Sequence, residues 1–204
     1  MTVEKGRAWG EPGPLPEGGV VVRSDAEARA AVEEARRANR PLPPLGLLGG
    51  DLCRTLGGRG DPERLRGPGA VRVPVDLGSA LLDGRQHWFV AHLVVRRSWW
   101  FGRIVAALNA EFVGAWDVAP RSHPNDGMLD VLEVAGMGVA DRLRARSRLP
   151  AGAHVPHPAI RQRRVPALQL ELDRPTPVWL DGERVGLARR LAIRLEPDAL
   201  LCVV

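Results

Sequence analysis

Short runs of β-branched and aliphatic residues, each closed by glycine, proline or aspartate, set the rhythm of this chain, and two stretches depart from it toward a helical period. GVVVR at 19–23 is the first run. SDAE follows, with Ser24 placed to cap a helix and Glu27 three residues later to complete a capping box. A helix is therefore predicted from Asp25 to Asn39. Within it Ala28, Ala31, Val32 and Ala35 recur at three- and four-residue spacing, so one narrow apolar stripe faces a neighbour while Glu and Arg face away. Together these make a β–α unit. PLPPLGLLGGD at 41–51 predicts a short strand running into a glycine-rich turn, then a helical turn or two around LCRTL and a second break at Gly57 and Gly58. Residues 59–69 read as a polar loop.

From Ala70 the period shortens to that of strands. Two extended runs are separated by Asp83-Gly84, a strong hairpin signal. RRSWWFG at 96–102 interrupts the pattern, and IVAALNAEFVGAW at 104–116 resumes it as strand or short helix. HPNDG at 123–127 is dense in turn residues and precedes the apolar run MLDVLEV. Residues 136–149 form the second helix candidate, with Val139, Leu143 and Leu149 on its apolar side and its arginines outward. The runs VPALQLELD, PVWLDGERV, ARRLAIRLE and ALLCVV then predict four compact strands. No internal repeat is found.

Composition narrows the class. A chain of 204 residues with 45% hydrophobic content can bury a core, and 23 glycines and 18 prolines suit short strands and tight turns. The fold class is β-rich α+β. A net charge of +5 invites a nucleic-acid or anionic-membrane partner. Lys5 is the only lysine, however, and the arginine excess accompanies abundant Ala, Gly and Pro, as a GC-rich coding bias would produce. Scattered solvated arginines account for the charge, and nucleic acid is set aside. Cys53 and Cys202 give neither a disulfide framework nor a metal knuckle. His154 and His157, flanked by proline and lacking a third ligand, argue against a zinc pair. Residues 1–19 read as a flexible leader without the apolar run of a signal peptide, and no stretch approaches the roughly 20 apolar residues of a membrane span. The expectation is a cytoplasmic protein, with a peripheral position on the inner face of the membrane left open.

Two segments point to a family. VAPRSHPNDGMLDVLEV at 118–134 is similar to the aPxAxxxDGxLDv signature of the bacterial diacylglycerol and lipid kinases, and WLDGERV at 179–185 resembles their terminal D-G-E signature, in the same order. GAHVPHPAIRQRRVPALQLEL between them resembles the family's GxHxxxpxV stretch, and LAIRLEPDALLCVV resembles its closing strands. The likeness runs nearly unbroken from Val73 to Val204, with the family's lid-like middle cut short. Upstream, GLLGGDLCRTLGG at 46–58 resembles a contracted GTGNDlArtLG element in which Asp51, Leu52, Arg54, Thr55 and Leu56 match. The Gly-Gly-Asp-Gly-Thr loop that holds nucleotide phosphates in these enzymes has no counterpart that the sequence pattern reveals.

The resemblance implies an architecture: a leader at 1–19, a truncated nucleotide-lobe-like segment at 20–69, and at 70–204 a mostly antiparallel β-sandwich of the lipid-kinase C-terminal type. It also implies site residues. Glu183 resembles the general base that deprotonates a lipid hydroxyl as it attacks the γ-phosphorus of ATP. Asp126 resembles the ligand of a structural Mg²⁺, with the backbone carbonyls of His123 and Met128 as its companions. Gly49 and Gly50, ahead of Asp51, are the only phosphate-cradle candidate. On local pattern alone Asp181-Gly182 is a hairpin turn with Glu183 a solvated strand residue, and Asn125-Asp126-Gly127 is equally a chain reversal. RRSWWFGR combines arginines with aromatics as a lipid headgroup boundary requires, and a buried Trp pair is its plainer reading.

Two function classes stay open. One is ATP-dependent phosphorylation of a lipid hydroxyl, such as that of diacylglycerol, with Mg²⁺ as cofactor. The other is a non-catalytic module, derived from a lipid kinase, that binds a lipid, an anionic membrane surface or a partner chain. The missing loop counts against ATP and favours the second. A second copy covering the strand edge left by the shortened lobe would make a homodimer.

Overall fold

The computed structural model describes residues 9–152 and 157–204; His154 lies outside them. Its strands are β1 (Glu11–Pro12), β2 (Val20–Val22), β3 (Leu45–Leu47), β4 (Val71–Leu82), β5 (Arg85–Phe89), β6 (His92–Arg96), β7 (Ile104–Leu108), β8 (Phe112–Val113), β9 (Trp116–Asp117), β10 (Leu129–Val134), β11 (Ile160–Val165), β12 (Ala167–Leu180) and β13 (Glu183–Val203). The helices are α1 (Asp25–Arg37), α2 (Asp51–Thr55) and α3 (Val139–Arg148).

The predicted cap starts α1: Ser24 Oγ accepts the Glu27 N–H at 3.1 Å. The Glu27 carboxylate reaches back one residue further than a capping box requires, to the Arg23 N–H at 2.7 Å. Ala28, Val32 and Ala35 are buried, as the stripe predicts, and the first two share a core with Leu45, Leu47, Val73, Val75, Leu200 and Cys202, against which Ala31 packs. The β2–α1–β3 unit is thus packed onto the ends of the long strands. β2 and β3 pair in parallel, and β3 continues the sheet by pairing in parallel with the end of β13. Residues 9–19 of the expected leader are also tied down, since β1 pairs with β4 and Trp9 donates its indole N–H to the Pro74 carbonyl at 3.1 Å.

The main sheet runs β1-β4-β13-β12-β6-β7-β10-β11, with β5 beside β4. It folds across itself into a sandwich. Leu93 and Val95 of β6, with Val105, Ala107 and Val131, meet Leu82, Phe89, Leu180, Leu191 and Ile193 of the other half in one core. Alternate residues Val94, Ala106, Leu108 and Leu132 point to the opposite face, where α3 covers them. The pleat's period of two thus buries both faces of β6, β7 and β10. Gly78 is needed here: its cross-strand partner is Phe89, whose ring lies where a Cβ on Gly78 would come within 2.3 Å of it.

The Asp83-Gly84 hairpin forms as predicted, with both residues at positive φ (47° and 86°), the conformation of a type I′ turn. The four terminal runs do not form four strands. They fuse into two long ones, β12 and β13, because Pro175 and Pro197 fall at the register shifts between Glu171 and Thr176 and between Glu196 and Leu200. Proline at a bulge bends a strand without ending it. Of the apolar side expected for α3, Leu149 packs inward but the other two positions are reversed. Val139 and Leu143 are exposed while Arg142 is buried, because its guanidinium donates to the carbonyls of Met137, Trp99 and Gly102 and thereby ties the helix to the 97–102 loop. Three acceptors satisfy a charge that hydrophobic patterning places in solvent.

Candidate functional site

Two strand–turn–helix junctions lie side by side at the carboxyl ends of β2 and β3, and each begins its helix with an aspartate, Asp25 in α1 and Asp51 in α2. The β12–β13 turn closes over them, delivering Asp181 and Glu183, and His92 enters at the start of β6. Asp25, Asp51 and His92 each offer one donor atom within 4.8 Å of the others, a grouping able to hold a metal ion.

Asp25 caps the neighbouring helix. Its carboxylate accepts the Asp51 N–H at 2.5 Å and the Leu52 N–H at 3.1 Å, the groups that a helix start leaves without backbone partners. Asp51 in turn accepts His92 Nε2 at 2.9 Å and the Gly114 N–H at 3.0 and 2.8 Å. Asp181, held at φ +50° in the turn, accepts the N–H groups of Val90, Ala91 and His92 at 3.0, 2.9 and 3.1 Å. Arg29, one turn into α1, lies with its Nε 3.8 Å from Asp181 and binds Glu183 at 2.5 Å and Glu33 at 3.3 Å.

Burial shapes the electrostatics. It raises the Asp25 pKa to about 6, with the Asp181 charge adding to the effect and the two N–H bonds opposing it. It raises that of Asp181 as well, against the pull of His92 and the three N–H groups. For His92 burial is the largest influence and favours the neutral ring, but the Asp51 hydrogen bond and the charges of Asp181, Asp51 and Asp25 outweigh it, and the net direction is upward.

The residues singled out from sequence fall in two places. Gly49, Gly50, Asp51 and Glu183 converge on this cluster, although Gly49 and Gly50 serve close packing there. A Cβ on Gly49 would meet the Arg23 carbonyl at 2.4 Å, and one on Gly50, at φ +96°, would meet Asp25 Oδ1 at 2.5 Å. The N–H groups that follow them are directed at Asp25, so a carboxylate of the chain itself occupies the anion seat at the start of α2. Glu183, with its side chain 63% exposed, is gripped by Arg29.

Asp126, His123 and Met128 lie elsewhere, in the loop before β10. There Asp126 accepts the Met128 N–H at 2.9 Å with one oxygen and pairs with the Arg164 guanidinium through the other. His123 lies against Trp9 with the ring centroids 4.4 Å apart and the planes tilted by 52°, and it accepts the Asn125 N–H. An arginine therefore pairs with the carboxylate that the resemblance gives to Mg²⁺.

Asp25, Arg29 and His92 were not read from the sequence as site residues. A usable signal existed in the two parallel patterns of apolar run, turn and helix-opening aspartate, at 20–25 and 45–51.

A second concave feature lies on the far face of the sandwich, between α3 and the β6–β7–β10–β11 face. It is an apolar hollow of about 100 Å³, lined among others by Val94, Ile104, Leu132, Trp99, Trp116 and Leu149. Trp99 packs edge-on against Trp116, and Arg146 lies over the Trp100 and Trp116 rings at the rim. Beside it Phe101, Val139 and Leu143 are exposed.

Residues 78–204 match the model of the YegS C-terminal NAD kinase beta sandwich-like domain, and the chain belongs to this diacylglycerol/lipid kinase family. Among solved structures it is similar to one from Bacillus anthracis str. Sterne described as a diacylglycerol kinase, with a TM-score of 0.65 and 15% identity over 91% of this chain and 77% of that one. Another from the same strain gives a TM-score of 0.62 and 14% identity over 89% and 83%. A third gives 0.53 and 16% over 79% and 66%. At these identities the likeness establishes the fold. A search of curated protein sequences finds no match.

Proposed function

We propose that this member of the lipid kinase family binds lipid without phosphorylating it. The observation that carries this reading is the Asp25 carboxylate at the start of α2, which takes the N–H groups a nucleotide phosphate would need. The Arg29 grip on Glu183 supports it, because a general base must be able to reach the hydroxyl it deprotonates. On the lipid side, the hollow under α3 offers apolar volume for an acyl chain. Trp100, Phe101, Val139 and Leu143, with Arg97, Arg144, Arg146 and Arg148 nearby in the chain, form the mixture of aromatic, aliphatic and cationic groups that settles at an anionic membrane interface.

A second reading is favoured by one observation, the convergence of Asp25, Asp51 and His92 donor atoms within 4.8 Å. On that reading Asp25, Asp51 and His92 would hold a divalent cation, which would supply charge for the phosphates of ATP, and Glu183, let go by Arg29, would take the proton of a lipid hydroxyl as its oxygen bonds the γ-phosphorus and ADP leaves.

Calorimetry with millimolar ATP and Mg²⁺ is expected to show no saturable heat. Flotation with vesicles containing phosphatidylglycerol is expected to recover the protein, and replacing both Trp100 and Phe101 by alanine should lower that binding roughly tenfold, given the apolar area two aromatics bury. Saturable ATP binding, accompanied by phosphate transfer to diacylglycerol that Glu183→Gln abolishes, would overturn the first reading in favour of the second. Failure to float would remove its lipid half.

A further inference from the structure

We infer that Arg164 is a built-in cation of the loop before β10, paired with the carboxylate, Asp126, that the sequence resemblance assigns to a divalent ion. Asp126, Asp130 and Asp76 crowd this corner. Asp130 is 1% exposed and Asp76 likewise, and the Asp126 charge is felt by both. Arg164 meets two of the three. It sits opposite Asp130 in the β10–β11 register, places Nε 3.6 Å from the Asp130 carboxylate, and pairs its Nη2 with Asp126.

Several of the remaining groups are committed to the loop itself, while Asn125 Oδ1 is buried without a hydrogen-bond partner and Asp130 is held by the Arg164 ion pair. The second Asp126 oxygen accepts the Met128 N–H, and Asp76 accepts the Gly127 N–H at 2.7 Å and the Asp198 N–H at 3.0 Å. The Asn125 side chain donates to Asp198 at 2.8 Å, and the Pro124 carbonyl accepts the Asp76 N–H at 2.8 Å. The loop is therefore stitched to β4 and to the β13 bulge by its own groups, and the charge that balances Asp126 and Asp130 comes from β11.

A guanidinium differs from Mg²⁺ in what it demands. It forms a planar array of hydrogen bonds without an octahedral shell, and its charge does not depend on ion concentration. The loop's conformation is accordingly independent of divalent cations. Removing the arginine leaves two neighbouring carboxylates without a cation, an arrangement that a hard divalent ion relieves.

Thermal melting at constant ionic strength tests this on the full chain. The unaltered protein should give the same Tm, within about 1 °C, in EDTA and in 10 mM MgCl₂. Arg164→Gln should lower Tm by roughly 4 °C in EDTA and regain most of it in Mg²⁺; Arg164→Lys, which keeps the charge, should lose less and respond less. Saturable stabilisation of the unaltered protein by Mg²⁺ would overturn the inference. A Gln variant that melts like the parent, or whose loss Mg²⁺ does not restore, would reduce Arg164 to an ordinary ion pair and overturn it equally. The ATP and vesicle measurements proposed above are independent of each of these outcomes.

Discussion

Replacing Asp181 by alanine is expected to remove on the order of 4 kcal/mol of folding stability, a loss out of proportion to a two-residue turn. Its side chain accepts from three consecutive backbone N–H groups, those of Val90, Ala91 and His92, where the chain passes from β5 into β6. Each buried N–H left without a partner costs about 1–3 kcal/mol. Alanine would also have to hold the φ of +50° that aspartate tolerates through its short polar side chain. Burial already disfavours the charged carboxylate, so the loss is smaller than three charge-assisted bonds would suggest. Asp181→Asn keeps one acceptor oxygen and the turn preference, and should lose about half as much. Urea unfolding of the two variants beside the parent decides the matter. If alanine costs no more than an exposed turn substitution, about 0.5 kcal/mol, then Asp181 does not hold the β5–β6 corner. The experiment also bears on the family motif, because it separates a structural aspartate from the neighbouring Glu183, whose replacement should leave stability nearly unchanged.

That division of labour was only partly legible in the sequence. The α1 helix, the Asp83-Gly84 hairpin and the β3–α2 junction were readable because their determinants lie within a few residues: a cap and its box, a turn dipeptide, an apolar run before two glycines. The cluster was harder, since Asp25 completes the N-terminus of α2 from 26 residues upstream in the chain, as Asp51 follows it by that interval. Charge patterning misplaced α3 for a related reason. It assigns every arginine to solvent, whereas Arg142 is satisfied by carbonyls of the 97–102 loop some 40 residues earlier. The fusion of the last four runs into β12 and β13 was hidden by proline, which reads as a strand stop unless the partner strand is known to bulge beside it. Likewise the D-G-E turn was visible as a turn, but the reach of Asp181 to β6 depends on a β12–β6 pairing that no local pattern encodes.

The same buried acids predict an unusual response to pH: the protein should be more stable near pH 5 than at pH 7.5. For Asp25 the folded-state pKa of about 6 lies above the ordinary 3.8, so the folded chain holds this proton more tightly than the unfolded one. The associated stability is fully present below 3.8 and is lost as pH rises through about 6. That interval corresponds to about 3 kcal/mol. Asp181, Asp76 and Asp130 are raised as well and act in the same direction. His92, also raised, adds stability that is present below 6.5 and fades above it. His87 opposes them, because burial lowers its pKa and its contribution is lost as pH falls below the histidine range. Asp83, lowered by the N–H groups of Arg190 and Arg189, opposes them only at the acid extreme. The carboxylates outnumber the opposing groups and lie deeper in the fold, so the sum favours mild acid. Urea midpoints measured from pH 4.5 to 8 at fixed ionic strength should therefore fall with rising pH across the 5–7 interval. Asp25→Asn should flatten that slope, because its side chain no longer exchanges a proton while one oxygen still accepts from the start of α2. A parent slope that is flat or rising, or an Asn variant that keeps the full slope, would mean that the ionised Asp25 is stabilised by its neighbours more than burial opposes it. In that case the cap on α2 would keep its full negative charge well below pH 6, and the anion seat would be closed by repulsion as well as by occupancy even in mild acid.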